Sequence, residues 1–144
     1  MTIPEMDLEP EVEAKARRLK ATAPKAEFLS GRRTREAQSR AMAQNVARNR
    51  EYIRLTYQDT SWTRAMQTWV DQQPRHISTE ALAAGLLAII ERMPEADLPH
   101  LSLHLIGRAF DVKPGSCTEA QIMALQPGRF LTHEAGLVRW HCQW

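Results

Sequence analysis

Cysteine is nearly missing from this 144-residue chain, which carries only Cys117 and Cys142. Two thiols cannot lay out a disulfide framework, and in a cytosolic setting they stay reduced. Long apolar runs are missing too. The longest, Ala81–Ile90, has ten residues and contains Gly85, against the roughly 20 needed to cross a bilayer as a helix. The first fourteen residues carry five acids and no base, so nothing there resembles the basic start and apolar segment of a secretory signal. These absences lead to the expectation of a cytoplasmic protein with no membrane partner.

Chemical motifs are equally sparse. There is no glycine-rich phosphate loop, no C-x-x-C pair and no motif of paired carboxylates. The reading that follows is a non-enzymatic protein without a cofactor. Alternation long enough to predict a sheet is also lacking, and no internal repeat is visible.

What the chain does have is charge asymmetry. Residues 15–54 contain twelve Lys and Arg against three Glu, a net of +9. Residues 1–14 carry −5 and residues 55–144 carry −2. The overall +2 conceals this. One domain is expected at this length. It divides into an acidic flexible tail (1–14), a basic arginine-rich helical arm (15–55) and a core (56–144).

Helix signals dominate the pattern. Pro10 suits a first helical turn, with Glu11 and Glu13 at its positive end, predicting a helix over about 10–21. Residues 22–32 read as a linker. From Thr34 to Tyr57 the chain is rich in Ala, Arg, Gln and Glu without Pro or Gly, which predicts one continuous helix. Its apolar stripe runs through Met42, Val46, Ile53 and Tyr57. Thr60 or Ser61 caps a helix whose Trp62, Met66, Trp69 and Val70 share a face. Ser78 or Thr79 starts the apolar helix Ala81–Ile90, in which Gly85 permits a close helix crossing. Asp97 caps a helix predicted to reach Phe110. Ser116 and Glu119 form a capping box for a helix to Leu125. Thr132 starts a last helix through Trp140, preferred over a short strand at Leu137–Cys142. The expected fold is therefore all-α, a bundle of four or five helices preceded by a basic helical arm.

Arginine forks onto phosphate with two charge-assisted hydrogen bonds. Arg32, Arg33, Arg35, Arg40, Arg48, Arg50 and Arg54 are thus the expected contacts to a nucleic-acid backbone. Gln44, Asn45 and Asn49 add capacity for base edges. The functional expectation is a small nucleic-acid-binding protein, DNA or RNA, acting as a regulator or a subunit of a nucleoprotein assembly. The alternative is an adaptor or inhibitor whose basic arm docks on an acidic partner. Trp140 and Trp144 are the candidate contacts for a protein partner or a second copy. Residues 105–125 have the rhythm of a helix-turn-helix, but the second segment carries Glu119 and no base, so ordinary helical packing is preferred there.

His100 and His104 lie four apart on a predicted helix, and Cys117, His133, His141 and Cys142 follow. Their spacing matches no zinc finger or ribbon. Adjacent His141 and Cys142 point in different directions on either a helix or a strand. The expectation is satisfied histidines, buried thiols and no metal.

Overall fold

A computed structural model describes residues 1–144. The chain forms two compact units. The first joins residues 1–33 to residues 103–144, and the second is residues 34–102. The +9 stretch is therefore divided between the units at Arg33.

The first unit overturns the all-α expectation, because it is built on a four-stranded antiparallel sheet. Its strands are β1 (Phe28–Ser30), β2 (Ala109–Val112), β3 (Arg129–Glu134) and β4 (Leu137–Gln143), in the order β1-β2-β4-β3. One sheet face carries Phe28, Phe110, Val112 and Cys142 into a core shared with Met6, Leu8, Ile122 and Leu125. Helix α1 (Pro10–Thr22) adds Val12, Ala16 and Leu19, spaced four and three apart on one helical stripe. Phe110 is the hub: Phe28 meets it edge-on at 5.4 Å and Trp144 lies at 5.1 Å.

Two predicted helices are strands for identifiable reasons. Residues 97–110 break up into α6 (Leu98–Leu101), a 3-10 turn at Leu103–Ile106, and β2. Gly107 ends that turn with φ +74°, a left-handed conformation that stops helix. The helix expected at 132–140 is the β3–β4 hairpin. Glu134 pairs with Leu137 around a two-residue loop, Ala135-Gly136, whose φ values are 48° and 82°. Two positive φ values are what a right-twisted hairpin requires of a two-residue turn. The linker over 22–32 likewise contains β1. The expected capping box is present but shifted, with Thr118 and Gln121 as its members, ahead of α7 (Glu119–Met123).

The second unit is helical. Helix α2 (Arg35–Arg48) packs along α5 (Thr79–Ile90), and α4 (Ser61–Asp71) packs on α5 as well. Met42, Val46, Ile53, Met66 and Val70 are buried, as their spacing predicts, while Tyr57, Trp62 and Trp69 of the same stripes are half-buried. Thr60 and Ser78 accept hydrogen bonds from Thr63 N–H and Ala81 N–H as N-caps. The predicted long helix over 34–57 is interrupted. Asn49 is extended, and its side chain accepts from Glu51 N–H, which separates α2 from α3 (Tyr52–Thr56). Short polar side chains compete with helical hydrogen bonding in this way. The Gly85 expectation holds, since a Cβ there would collide with the Trp69 indole. No helix is long and apolar enough to cross a membrane.

Candidate metal centre

The sheet has a second face, opposite the apolar core. Side chains alternate along a strand, so Phe110 and Val112 point to the core while Asp111 points the other way. On β4, Cys142 enters the core and His141 and Gln143 turn to the opposite face. The register then aligns three strands: Ser30 pairs with Asp111, and Asp111 pairs with His141. The 3-10 turn brings His104 to the same place.

Three ligand-type atoms converge there. His141 Nδ1 lies 3.0 Å from Asp111 Oδ1. His104 Nε2 lies 3.2 Å from His141 Nδ1 and 3.3 Å from Asp111 Oδ1. All three residues are buried, with 2% of His104, 9% of Asp111 and 8% of His141 exposed. They are the one group of His, Cys, Asp and Glu side chains arranged closely enough to share an ion.

The surrounding hydrogen bonds set the direction of each lone pair. His104 Nδ1 lies 2.7 Å from Gly31 O, a backbone acceptor. His141 Nε2 lies 2.9 Å from Gln143 Oε1, also an acceptor. A neutral imidazole so placed carries its N–H on that outer nitrogen. The inner nitrogens, His104 Nε2 and His141 Nδ1, present lone pairs to each other and to Asp111 Oδ1. The other carboxylate oxygen is occupied: Arg33 Nη2 donates to Asp111 Oδ2 at 2.7 Å, and Ser30 Oγ donates to it at 2.5 Å. Arg33 Nη2 also donates to Ser30 Oγ, and Arg33 N–H donates to His104 O at 2.9 Å.

Three acceptors facing one another in a buried place repel unless a cation lies between them. A proton is one solution, and the titration tendencies follow it. For His141, burial disfavours charge, but the hydrogen bond and negative charge of Asp111, helped by Gln143 and Glu134, outweigh it and raise the pKa. For His104, burial wins over Asp111 and lowers the pKa. Asp111 is held well below the usual carboxylate range: burial opposes its ionisation, and His104, His141 and Arg33 together overcome that. The second solution is a metal ion, which satisfies all three lone pairs at once. Ligand atoms bound to a tetrahedral ion at about 2.1 Å stand roughly 3.4 Å apart. The observed triangle of 3.0 to 3.3 Å is close to that.

Most of the residues expected to contact a polyanion bond to groups within their own unit. Arg32 pairs with Asp7 and Glu9. Arg33 is the Asp111 partner. Arg35 donates to the carbonyls of Ile90, Glu91 and Met93 at the end of α5. Arg50 donates to those of Val70, in the last turn of α4, and of Gln73 and Pro74 just after it. Arg54 pairs with Glu51 and Asp71. Asn45 is buried and donates to Ala41 O, and Asn49 serves the α2–α3 break. Arg40, Gln44 and Arg48 do share an exposed stripe of α2, with Arg40 paired to Glu36.

Trp140 and Trp144 are half-buried against the core of the first unit. Trp140 stacks edge-on with Phe130 at 5.7 Å, and Trp144 Nε1 donates to Gln126 O at 3.1 Å. His100 is exposed on α6, which ends at Leu101, so it shares no helical face with His104. His133 is exposed. Both thiols have pKa values raised by burial, and Cys142 faces the core, away from His141.

The centre was missed in the sequence for two reasons. Asp111 follows the helix expected to end at Phe110, and His141 follows the helix expected through Trp140 and preferred to a strand at Leu137–Cys142, so the two are not placed on paired strands. The strand alternative at Leu137–Cys142 was the available signal, since it sets His141 and Cys142 on opposite faces. No family model, curated protein or solved structure matches this chain.

Proposed function

We propose that this is a metal-binding protein, holding one divalent first-row transition ion on His104 Nε2, His141 Nδ1 and Asp111 Oδ1. One observation carries the reading: both imidazoles set their outer nitrogen against an acceptor, Gly31 O and Gln143 Oε1, so that in the neutral rings the inner lone pairs aim at the carboxylate. Outer partners of this kind orient ligand histidines and raise their basicity. Arg33 and Ser30 do the same for the carboxylate by holding Oδ2.

Two imidazoles and one carboxylate suit zinc or iron(II) better than calcium or magnesium, which favour all-oxygen shells. Ser30 is not placed as a nucleophile, because its hydroxyl addresses the carboxylate and not an imidazole.

The test is metal stoichiometry of the full chain by mass spectrometry, with a zinc titration of protein stripped by chelator. The expected result is one ion per chain, lost in a His104→Ala, His141→Ala double variant that still folds. Wild type that binds zinc no better than the double variant overturns the proposal.

A further inference from the structure

Resting on that metal-binding reading, we infer that the ion completes its coordination with a small exogenous anion. The first observation is geometric. The three ligand atoms form a triangle with edges of 3.0, 3.2 and 3.3 Å. An ion about 2.1 Å from each lies ~1 Å out of their plane, so all three bonds point to one side. The remaining positions face the other side.

The second observation concerns the groups that touch the cluster. The oxygens that hydrogen-bond its outer atoms are already engaged. Asp111 Oδ2 accepts from Arg33 and Ser30, Gly31 O faces His104 Nδ1, and Gln143 Oε1 faces His141 Nε2. No fourth His, Cys, Asp or Glu joins the cluster. Cys142, next in sequence to His141, is committed to the opposite sheet face. Structural zinc sites are closed by four protein ligands, whereas sites with three leave a position for solvent or substrate.

Charge selects the class of that ligand. Arg33 sits on Asp111 at 2.7 Å and cancels its carboxylate. A divalent ion added beside this pair carries its two positive charges uncompensated by its own ligands. Excess charge in a buried place is costly, and an anion on the open position removes that cost. The burial of all three ligands restricts the anion to a few atoms: hydroxide, azide, formate or another small carboxylate.

Cobalt(II) is the probe, because its visible bands report coordination number and ligand type. The full chain is titrated with cobalt(II), then with azide and with formate at constant ionic strength. The expected result is one bound cobalt whose bands shift with each anion along a saturable curve. Cobalt bound with bands that ignore both anions overturns this inference and leaves the metal-binding reading standing. Failure to bind cobalt or zinc at all overturns both.

Discussion

Asp111 and His141 are register partners across the β2–β4 ladder, and their side chains meet 3.0 Å apart on the polar face of the sheet. The backbone pairing fixes this contact, and a slip of one residue in either strand would turn its own side chain into the apolar core. The Ser30–Asp111 pairing extends the same row to a third strand. The centre is therefore as rigid as the sheet itself, and its consequences can be tested one residue at a time.

Asp111→Asn is expected to weaken zinc binding and to destabilise the metal-free fold. The substitution strands the Arg33 guanidinium, whose side chain is 17% exposed, beside a neutral amide. Breaking a largely buried ion pair by removing one partner costs about 3 kcal/mol. Urea unfolding of chelator-treated protein measures it. A midpoint unchanged from wild type contradicts the role given to this pair.

Gln143→Leu removes the acceptor for His141 Nε2–H and leaves every proposed ligand in place. Affinity for zinc should fall by roughly 10- to 100-fold, as for other outer partners of metal-bound histidine. The measurement is a competition titration against a zinc chelator of known affinity. Equal affinity would show that the imidazole needs no such anchor.

Gly85→Ala tests the crossing of α4 on α5. A methyl group there collides with the Trp69 indole. The expected cost is about 1–3 kcal/mol by overpacking, accompanied by a change in tryptophan fluorescence. A neutral or stabilising result, the usual outcome for Gly→Ala in an open helix, would mean that the indole moves aside freely.

Arg50→Ala and Arg48→Ala should part company in a thermal melt. Arg50 donates to three carbonyls at and just past the end of α4, while Arg48 is exposed on α2. Hydrogen bonds from charged donors are worth about 1.5–3 kcal/mol each, so loss of Arg50 should lower stability by at least that much. Arg48→Ala should stay within about 0.5 kcal/mol of wild type. Similar melts for the two variants would refute the capping role.

Ala135→Asn is expected to stabilise the β3–β4 hairpin. Ala135 sits at φ 48°, where its Cβ is strained, and asparagine tolerates that region and precedes glycine in favoured hairpin turns. A gain of about 0.5–1 kcal/mol in thermal unfolding is the expected outcome. A loss would place the turn in a different class.

What the chain determined by itself is the set of elements whose causes are local. Thr60 and Ser78 cap helices, Pro10 opens one, and the stripes of α2 and α4 bury Met42, Val46, Met66 and Val70. Capping and helical spacing act over three or four residues, so a linear reading captures them. The sheet and the centre have distant causes. Ser30 meets Asp111 across 81 positions, His104 meets Gly31 across 73 and His141 across 37, and His141 meets Asp111 across 30. Strands as short as β1 and β2 carry too few residues to show alternation, and β2 is buried on both faces, which erases it. The arginines show the same division. Their number and position were plain in the sequence, but whether each met solvent, a carboxylate or a helix end was decided by which elements packed beside it. Only the antiparallel register, a long-range property of the folded chain, could bring two histidines and an aspartate to one point.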